Sequence, residues 1–248
     1  MKITIIQTKP QIGNVTENFK IVADLIKCVS DTDVVVLPEL WSTGYYPEPI
    51  EKFADMNGQQ TVNFISHLSK QYNLNIIAGS VIVKVGTNFF NRCFVSDRLG
   101  RIIAIYDKSH LFSQAKENKI FTPGKEVVTV EIDDIRCGLA ICYDLRFPEF
   151  IRRMALQGIE ILFVPAAWSL RRLIPRQILT KARAIENQIF VVFVNSSGKS
   201  EILNPIGEII AETGLGNQIL TCEIDLNFRK EVIDKMNLLD DRNLFTDS

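Results

Sequence analysis

Histidine and paired cysteine are scarce in this sequence of 248 residues. It contains two histidines and five cysteines, and no two cysteines are spaced as a C-x-x-C pair. Structural zinc sites are built mainly from such pairs and from histidines, so we expect no metal site. The odd number and wide scatter of the cysteines favour reduced thiols, which are typical of the cytoplasm.

Blocks of basic charge and long apolar runs are also missing. The formal net charge is −1, and the densest basic spots are two arginine doublets, 152–153 and 171–172. Doublets of this kind are usually solvated helix faces, so a nucleic-acid partner is not expected. No run approaches the ~18 apolar residues of a spanning helix, and the N-terminal run 1–7 meets polar residues too early for an export signal. We therefore expect no membrane partner.

The remaining composition is typical of a globular protein, with 46% apolar and 23% charged residues. β-Branched or apolar runs such as 33–37, 160–164 and 206–210 predict strands, and they alternate with amphipathic stretches such as 14–26 and 173–187, which predict helices. Strand-like runs outnumber helical ones, and hairpins are mixed with strand–helix–strand connections. The pattern predicts an α/β fold in which helices cover two packed, mixed sheets, within a single domain over residues 1–248.

Residues 138–149 (GLAICYDLRFPE) carry the strongest chemical signal. An apolar run that predicts a buried strand ends at Cys142, a short charged turn follows, and helical spacing begins at Phe147. A strand-to-helix turn exposes a side chain at the edge of a sheet, beside the backbone N–H groups that follow it. Such a turn suits a nucleophile, because those N–H groups, here that of Tyr143, can later hold an oxyanion.

Two other predicted strands end on residues whose chemistry complements the cysteine. Glu39 follows the apolar run 34–37, and Lys108 follows the run 102–106. A free thiol with a pKa of about 8.5 is only slightly ionised at neutral pH and needs a base. A glutamate in a water-poor pocket can act as that base, and neither of the two histidines is placed persuasively for it. Lys108 and the N–H that follows the cysteine would then hold the oxyanion during amide hydrolysis.

These stretches resemble the signature segments of the nitrilase (carbon–nitrogen hydrolase) superfamily, and the resemblance covers nearly the whole chain. Segment 36–40 (VLPEL) resembles the one with the catalytic glutamate, and 106–112 (YDKSHLF) resembles the lysine segment. Segment 139–149 resembles that of the nucleophile. A further acid of the family, before a Phe-x-Pro-Gly turn, matches Glu117, ahead of 121–124 (FTPG). Weaker matches are 182–188 (ARAIENQ), 204–208 (NPIGE) and 241–242 (DR).

The resemblance implies a four-layer α-β-β-α sandwich with two mixed sheets packed face to face, formed by a single carbon–nitrogen hydrolase domain. It implies that Glu39, Lys108 and Cys142 are catalytic, with Glu117 positioning the lysine or the substrate. Members of the family cleave non-peptide C–N bonds through a thioester, without a metal or an organic cofactor. The family also pairs protomers across helices that flank the nucleophile and the later segment 182–188, so a homodimer is expected.

Segment 43–45 (TGY) and the nucleophile segment are most similar to the ω-amidase-like branch of this family. That branch hydrolyses the distal amide of small 2-oxo dicarboxylic acid monoamides and releases ammonia. Such substrates carry a carboxylate, for which arginine is the preferred bidentate partner. We expect Arg172 to bind the carboxylate, with Tyr45 and Trp168 as walls of the pocket.

Two departures from the family pattern leave other substrates open. Arg176 stands where related sequences often have an aromatic residue, and segment 195–202 is shorter than usual. The shorter loop predicts a more open pocket, suited to an N-carbamoyl amine or amino acid, or to a deaminated-glutathione-type amide.

Other protein classes are less well supported by the sequence. A non-catalytic scaffold of the same fold is the main alternative, but such a protein would have lost one of the three catalytic residues. A serine hydrolase is not supported, because the motif G-x-S-x-G is absent. A nucleotide-binding enzyme is not supported either, because segment 198–200 (GKS) lacks the upstream glycine of a P-loop.

Overall fold

The computed structural model describes residues 1–242, and in that part of the chain the strands form two mixed sheets. In chain order the strands are β1 (Lys2–Gln7), β2 (Val34–Val36), β3 (Asp55–Met56), β4 (Asn75–Ile77), β5 (Val81–Val85), β6 (Asn88–Ser96), β7 (Ile102–Asp107), β8 (Thr129–Ile132), β9 (Ile135–Leu139), β10 (Ile161–Ala166), β11 (Phe190–Asn195), β12 (Glu201–Leu203), β13 (Ile209–Glu212) and β14 (Gln218–Glu223). The α-helices are α1 (Val15–Lys27), α2 (Gln59–Tyr72), α3 (Glu117–Ile120), α4 (Pro148–Ala155), α5 (Leu173–Asn187) and α6 (Leu226–Lys235). None of these helices is long and apolar enough to cross a membrane.

Each sheet combines parallel and antiparallel pairs. The first sheet has the order β14-β1-β2-β4-β6-β5-β3, with β7 also paired to β6. The second has the order β13-β12-β11-β10-β9-β8, in which β9, β10 and β11 are parallel and the outer pairs are antiparallel. The parallel pairs follow from the connections, since α4 links β9 to β10 and α5 links β10 to β11.

Alternating side chains of β1 show how the layers are stacked. Ile3 and Ile5 point into a core that they share with the second sheet, whereas Ile6 packs against the opposite layer with Val22 of α1 and Ile65 of α2. On the far side of the molecule α4 and α5 cover the second sheet. The predicted α-β-β-α sandwich with two mixed sheets packed face to face is therefore confirmed.

The boundaries of the elements agree with the sequence pattern in most places. Helix α1 begins after Asn14, whose side chain accepts a hydrogen bond from the backbone N–H of Glu17, and α5 spans the residues predicted for it. The strand predicted over 206–210 is wrong in its first half. Gly207 has a φ of +81° and donates its N–H to the carbonyl of Asn204, so this segment is a turn and β13 begins only at Ile209.

Candidate active site

Glu39 lies in the turn that follows β2 and is buried. Its carboxylate oxygen Oε1 accepts hydrogen bonds from the Asn91 side chain at 2.9 Å and from Lys108 Nζ at 2.8 Å. The other oxygen, Oε2, accepts the backbone N–H of Ala167 at 2.8 Å. Donors from three separate segments thus fix the carboxylate in one orientation.

Lys108 follows β7 and lies between two carboxylates. Its Nζ is 2.8 Å from Glu39 Oε1 and 2.9 Å from Glu117 Oε2, and the lysine side chain is 1% exposed. Burial by itself lowers the pKa of Lys108, but the charges of Glu39 and Glu117 outweigh it and hold this pKa well above its ordinary value. The side chain is therefore a fixed ammonium group.

Glu117 is the first residue of α3 and is buried, as Lys108 is. Its Oε2 also accepts the backbone N–H of Phe112 at 2.8 Å. Burial raises the pKa of Glu117 above its ordinary value, the nearby charge of Glu39 adds to the rise, and Lys108 opposes it. The cluster of one ammonium and two carboxyl groups is the arrangement expected from the family resemblance.

Cys142 begins a 3₁₀ turn, Cys142–Arg146, that links the end of the β9 segment to α4. Its φ of +46° lies in the left-handed region, which costs a residue other than glycine about 1–3 kcal/mol. Burial and the charge of Glu39 raise the pKa of the Cys142 thiol well above its ordinary value, while Lys108 and the N–H of Ala167 lower it. The sulfur is therefore a thiol at neutral pH. Ala167 N–H faces both this thiol and Glu39, so the thiol and the carboxylate lie close together.

A cavity of about 380 Å³ opens over this cluster. All but one of the site residues predicted from the sequence line this cavity. They are Tyr45, Lys108, Glu117, Cys142, Tyr143, Trp168 and Arg172. The exception is Glu39, which contacts Lys108. Burial, with the charges of Glu39 and Glu117, raises the pKa of Tyr45, so its hydroxyl stays protonated. The cavity thus brings together residues from four distant parts of the chain.

Trp168 and Arg172 form one wall of the cavity. The backbone N–H of Trp168 donates to the Asn195 side chain at 2.7 Å, and its indole N–H donates to the backbone carbonyl of Arg172 at 3.0 Å. The Arg172 guanidinium donates to the Gln114 side chain at 3.1 Å and lies 4.9 Å from the centre of the Phe112 ring. These contacts direct the guanidinium toward the cavity.

Arg146 is a second cavity arginine, which lies within the nucleophile segment 139–149 but was not predicted as a site residue. It lies at the end of the turn that begins with Cys142, and its guanidinium lies 4.8 Å from the Trp168 ring centre. Within residues 1–242 neither Arg146 nor Arg172 forms an ion pair with a carboxylate. The position of Arg146, four residues after Cys142, was the feature of the sequence that could have identified it as a site residue.

Arg176, one of the two departures from the family pattern, does not line the cavity. It is buried, 3.2 Å from Glu201 Oε2, and donates to the backbone carbonyl of Lys199 at 3.2 Å. Burial raises the pKa of Glu201, and Arg176 opposes the rise. The pair holds the short loop between β11 and β12, whose Ser197 does reach the cavity.

The fold and this cavity define a class of hydrolase with a thiol, an ammonium group and two carboxyl groups at the ends of strands from two sheets. The family model described as carbon–nitrogen hydrolase matches residues 2–234. The chain therefore belongs to the carbon–nitrogen hydrolase family of the nitrilase superfamily, and it is an enzyme of that type.

Relatives of known name and structure agree with this assignment. The chain is 36% identical to the 2-oxoglutaramate amidase of Bacillus subtilis (strain 168), over 96% of both chains. It is 28% identical to the omega-amidase NIT2 of Homo sapiens, over 80% of this chain and 79% of that one. The crystal structure of a CN-hydrolase superfamily protein from Xanthomonas campestris superposes with a TM-score of 0.90 at 28% identity, over 98% and 97% of the two chains. These likenesses support the ω-amidase-like branch.

Proposed function

We propose that this enzyme hydrolyses the distal amide of a small 2-oxo dicarboxylic acid monoamide, and that Cys142 is its nucleophile. The observation that carries the proposal is that Arg146 and Arg172, which form no ion pair with a carboxylate within residues 1–242, lie in the same cavity as the thiol. An acidic substrate of this kind has a carboxylate at one end and the amide at the other. The likeness to a 2-oxoglutaramate amidase supports the same substrate class.

The chemistry begins with transfer of the Cys142 thiol proton to Glu39 as the sulfur attacks the amide carbonyl. The oxyanion that forms accepts hydrogen bonds from Lys108 and from the backbone N–H of Tyr143. Glu39 then returns the proton to the departing nitrogen, so that ammonia leaves and a thioester remains. Glu39 next takes a proton from water, whose oxygen attacks the thioester; the C–S bond then breaks to release the acid, and Glu39 returns the proton to the sulfur. Glu117 holds Lys108 in place throughout.

The arginines give the substrate its direction in the cavity. Guanidinium groups pair with carboxylates through two parallel hydrogen bonds, each stronger than a neutral one. Arg172 and Arg146 both lie beside Trp168, which supports binding of the substrate carboxylate at that wall with the amide at Cys142. Tyr45 also lines the cavity and supplies a neutral hydroxyl.

Substitution of the arginines tests this orientation. We expect Arg172→Ala to lower kcat/KM for 2-oxoglutaramate about 10- to 100-fold, since a hydrogen bond to a charged group contributes about 1.5–3 kcal/mol. Arg146→Ala is expected to act in the same direction. Pentanamide, which has no carboxylate, should be affected little by either change. Arg171→Ala is the matched control, because Arg171 is exposed beside Arg172 but does not line the cavity.

Equal losses for the acidic and the neutral amide would contradict the orientation and would show that the arginines hold the wall instead. Arg172→Lys keeps the charge without the planar fork, and we expect it to recover only part of the lost rate.

A larger substrate is the second candidate, and the short loop between β11 and β12 favours it. Ser197 of that loop lines the cavity. An N-carbamoyl amino acid or a deaminated-glutathione-type amide would use the same thiol and the same arginines. A screen over all three substrate types decides between them by the highest kcat/KM, with ammonia measured for the monoamide and the carbamoyl compound and the released amine measured for the deaminated-glutathione-type amide.

The proposal includes a homodimer in the cytoplasm. Ile174, Ile178 and Ile185 form an exposed apolar stripe along α5, the helix that contains the segment expected to pair protomers, and the five cysteines are free thiols. Light scattering after size exclusion should give a dimer, and Ile178→Asp should shift it toward the monomer. Ile12→Asp changes an equally exposed isoleucine away from α5 and should not. A monomeric wild type would contradict this part.

A further inference from the structure

The carboxylate of Asp144 lies beneath the nucleophile turn and is fully buried. Its Oδ2 accepts the backbone N–H of Ile141 at 2.8 Å and the hydroxyl of Tyr106 at 2.6 Å. Its Oδ1 accepts both the backbone N–H and the ring Nδ1 of His110, each at 2.8 Å. Because a carboxylate only accepts, the ring nitrogen Nδ1 carries the proton. Each oxygen of Asp144 thus accepts two hydrogen bonds.

These donors belong to the two segments that carry the reacting groups. Ile141 immediately precedes Cys142, whereas Tyr106 and His110 stand two residues before and two residues after Lys108. Between the two segments the chain runs through β8 and β9, so no local geometry holds them in register. One buried carboxylate therefore ties the turn of the nucleophile to the loop of the lysine.

Packing around the carboxylate limits any movement of its partners. The ring of His110 stacks on Phe147 with 3.8 Å between ring centres and an angle of 12°, and meets the ring of Phe150 edge-on. Burial, together with the charge of Asp144, holds the pKa of Tyr106 well above its ordinary value, so the phenol remains a donor. The charged and titratable groups that face Asp144 are Tyr106 and His110, from the segment packed against it.

We propose that Asp144 is a positioning residue, which holds Cys142 and Lys108 in the relative geometry that the reaction requires. The inference rests on the proposed role of these two residues. It goes beyond that role because Asp144 is not among the residues that line the cavity, and its oxygens accept hydrogen bonds from Ile141, Tyr106 and His110. The left-handed φ of Cys142 is the conformation that such a fixed carboxylate maintains, since Asp144 binds the N–H of the residue before it.

Asp144→Asn is the direct test, since it conserves the shape of the side chain. An amide has one acceptor oxygen, so its NH₂ group must face either the two donors at Oδ1 or the two at Oδ2. We expect kcat per folded molecule to fall about 10- to 100-fold while KM changes less than about twofold. The rate of Cys142 alkylation by iodoacetamide should fall by a similar factor, which a purely structural role would not cause.

If Asp144→Asn does not fold, two variants that each remove one side-chain donor to Asp144 test the proposal instead. Tyr106→Phe deletes one hydrogen bond, and His110→Phe deletes another while a ring remains to stack on Phe147. We expect each to lower kcat about 3- to 10-fold with little change in KM. His67→Phe is the matched control, because His67 is exposed on α2 and should leave both rates unchanged.

Parallel assays of Cys142→Ala separate this proposal from the proposed function. If Cys142→Ala still turns over 2-oxoglutaramate, the cysteine mechanism and the positioning role both fail. If Cys142→Ala is inactive while Asp144→Asn, or both donor variants, keep the wild-type kcat and alkylation rate, only the positioning role is overturned. A rise in KM at unchanged kcat overturns it as well, because Asp144 would then act on substrate binding.

Discussion

Replacement of Lys108 by methionine removes the one cation from a buried group of three charges. Lys108→Met keeps most of the side-chain volume, so packing changes little. Glu39 and Glu117 remain, both buried, with their carboxylates no longer separated by the ammonium that lies 2.8 and 2.9 Å from them. The change therefore affects both the stability of the fold and the reaction.

The loss of stability follows from the geometry of the cluster. Removal of one partner from a buried ion pair costs about 3–5 kcal/mol, because the other charge is left without compensation. Here two carboxylates lose the same partner, so we expect the upper part of this range. The oxyanion loses a donor as well, which lowers kcat at least about 100-fold.

The pH dependence has a definite sign. The pKa of Glu117 is raised in the folded protein, and Lys108 opposes that rise, so its removal raises the pKa further. An acid whose pKa is higher in the folded than in the unfolded state binds more protons when folded, and stability then falls as the pH rises. The deficit of Lys108→Met relative to wild type should be largest at alkaline pH. It should shrink as the pH falls through the folded-state pKa of Glu117, first in the variant and then in the wild type, because the carboxyl is then neutral in both.

Urea unfolding at several pH values and an ammonia-release assay measure the two effects separately. The double variant Lys108→Met with Glu117→Gln removes one of the two carboxylates that are left without a cation, so it should recover stability without recovering kcat. Lys70→Met is the control, since Lys70 is exposed on α2 and should change stability by less than about 0.5 kcal/mol. A stability deficit that does not vary with pH, or a kcat within tenfold of wild type, would refute the reasoning.

Two further predictions concern the nucleophile and the buried pair beside the cavity. Cys142→Ala should abolish ammonia release and leave the thermal unfolding transition close to that of wild type, and more than about a tenth of the wild-type kcat would contradict the thioester mechanism. Arg176→Met should lower the free energy of unfolding by about 3–5 kcal/mol, because Glu201 then stays buried without its cation. The double variant Arg176→Met with Glu201→Leu should recover most of that loss in urea unfolding, and no recovery would show that the pair does not act as a unit.

The order and type of most elements could be predicted from local sequence. Residues such as those of β2 and β11 form continuous β-branched or apolar runs, which are favoured in strands buried on both faces, and Asn14 provides a helix cap. The errors occurred where a local backbone conformation competes with the apolar pattern. At 206–210 the isoleucines suggest a strand, but Gly207 allows a turn that ends the pattern early.

Sequence alone also placed Glu39, Lys108 and Cys142 at the ends of strands, since each follows an apolar run that ends in polar residues. Their mutual distances depend on contacts that are remote along the chain. Asn91 lies 52 residues from Glu39, and Ala167 lies 128 residues from it, yet both donate to the same carboxylate. No local pattern in a single sequence records which distant backbone N–H will face which side chain.

The sequence therefore determined which chemical groups the site contains, because the types of residue and their positions at strand ends follow from the order of the chain. The tertiary structure decided the surroundings of those residues. It buried Lys108 between two carboxylates, placed Arg146 beside Trp168, and turned Arg176 away from the cavity toward Glu201. The physical reason is that burial, charge pairing and pKa depend on distances across the packed sheets, and only folding sets those distances.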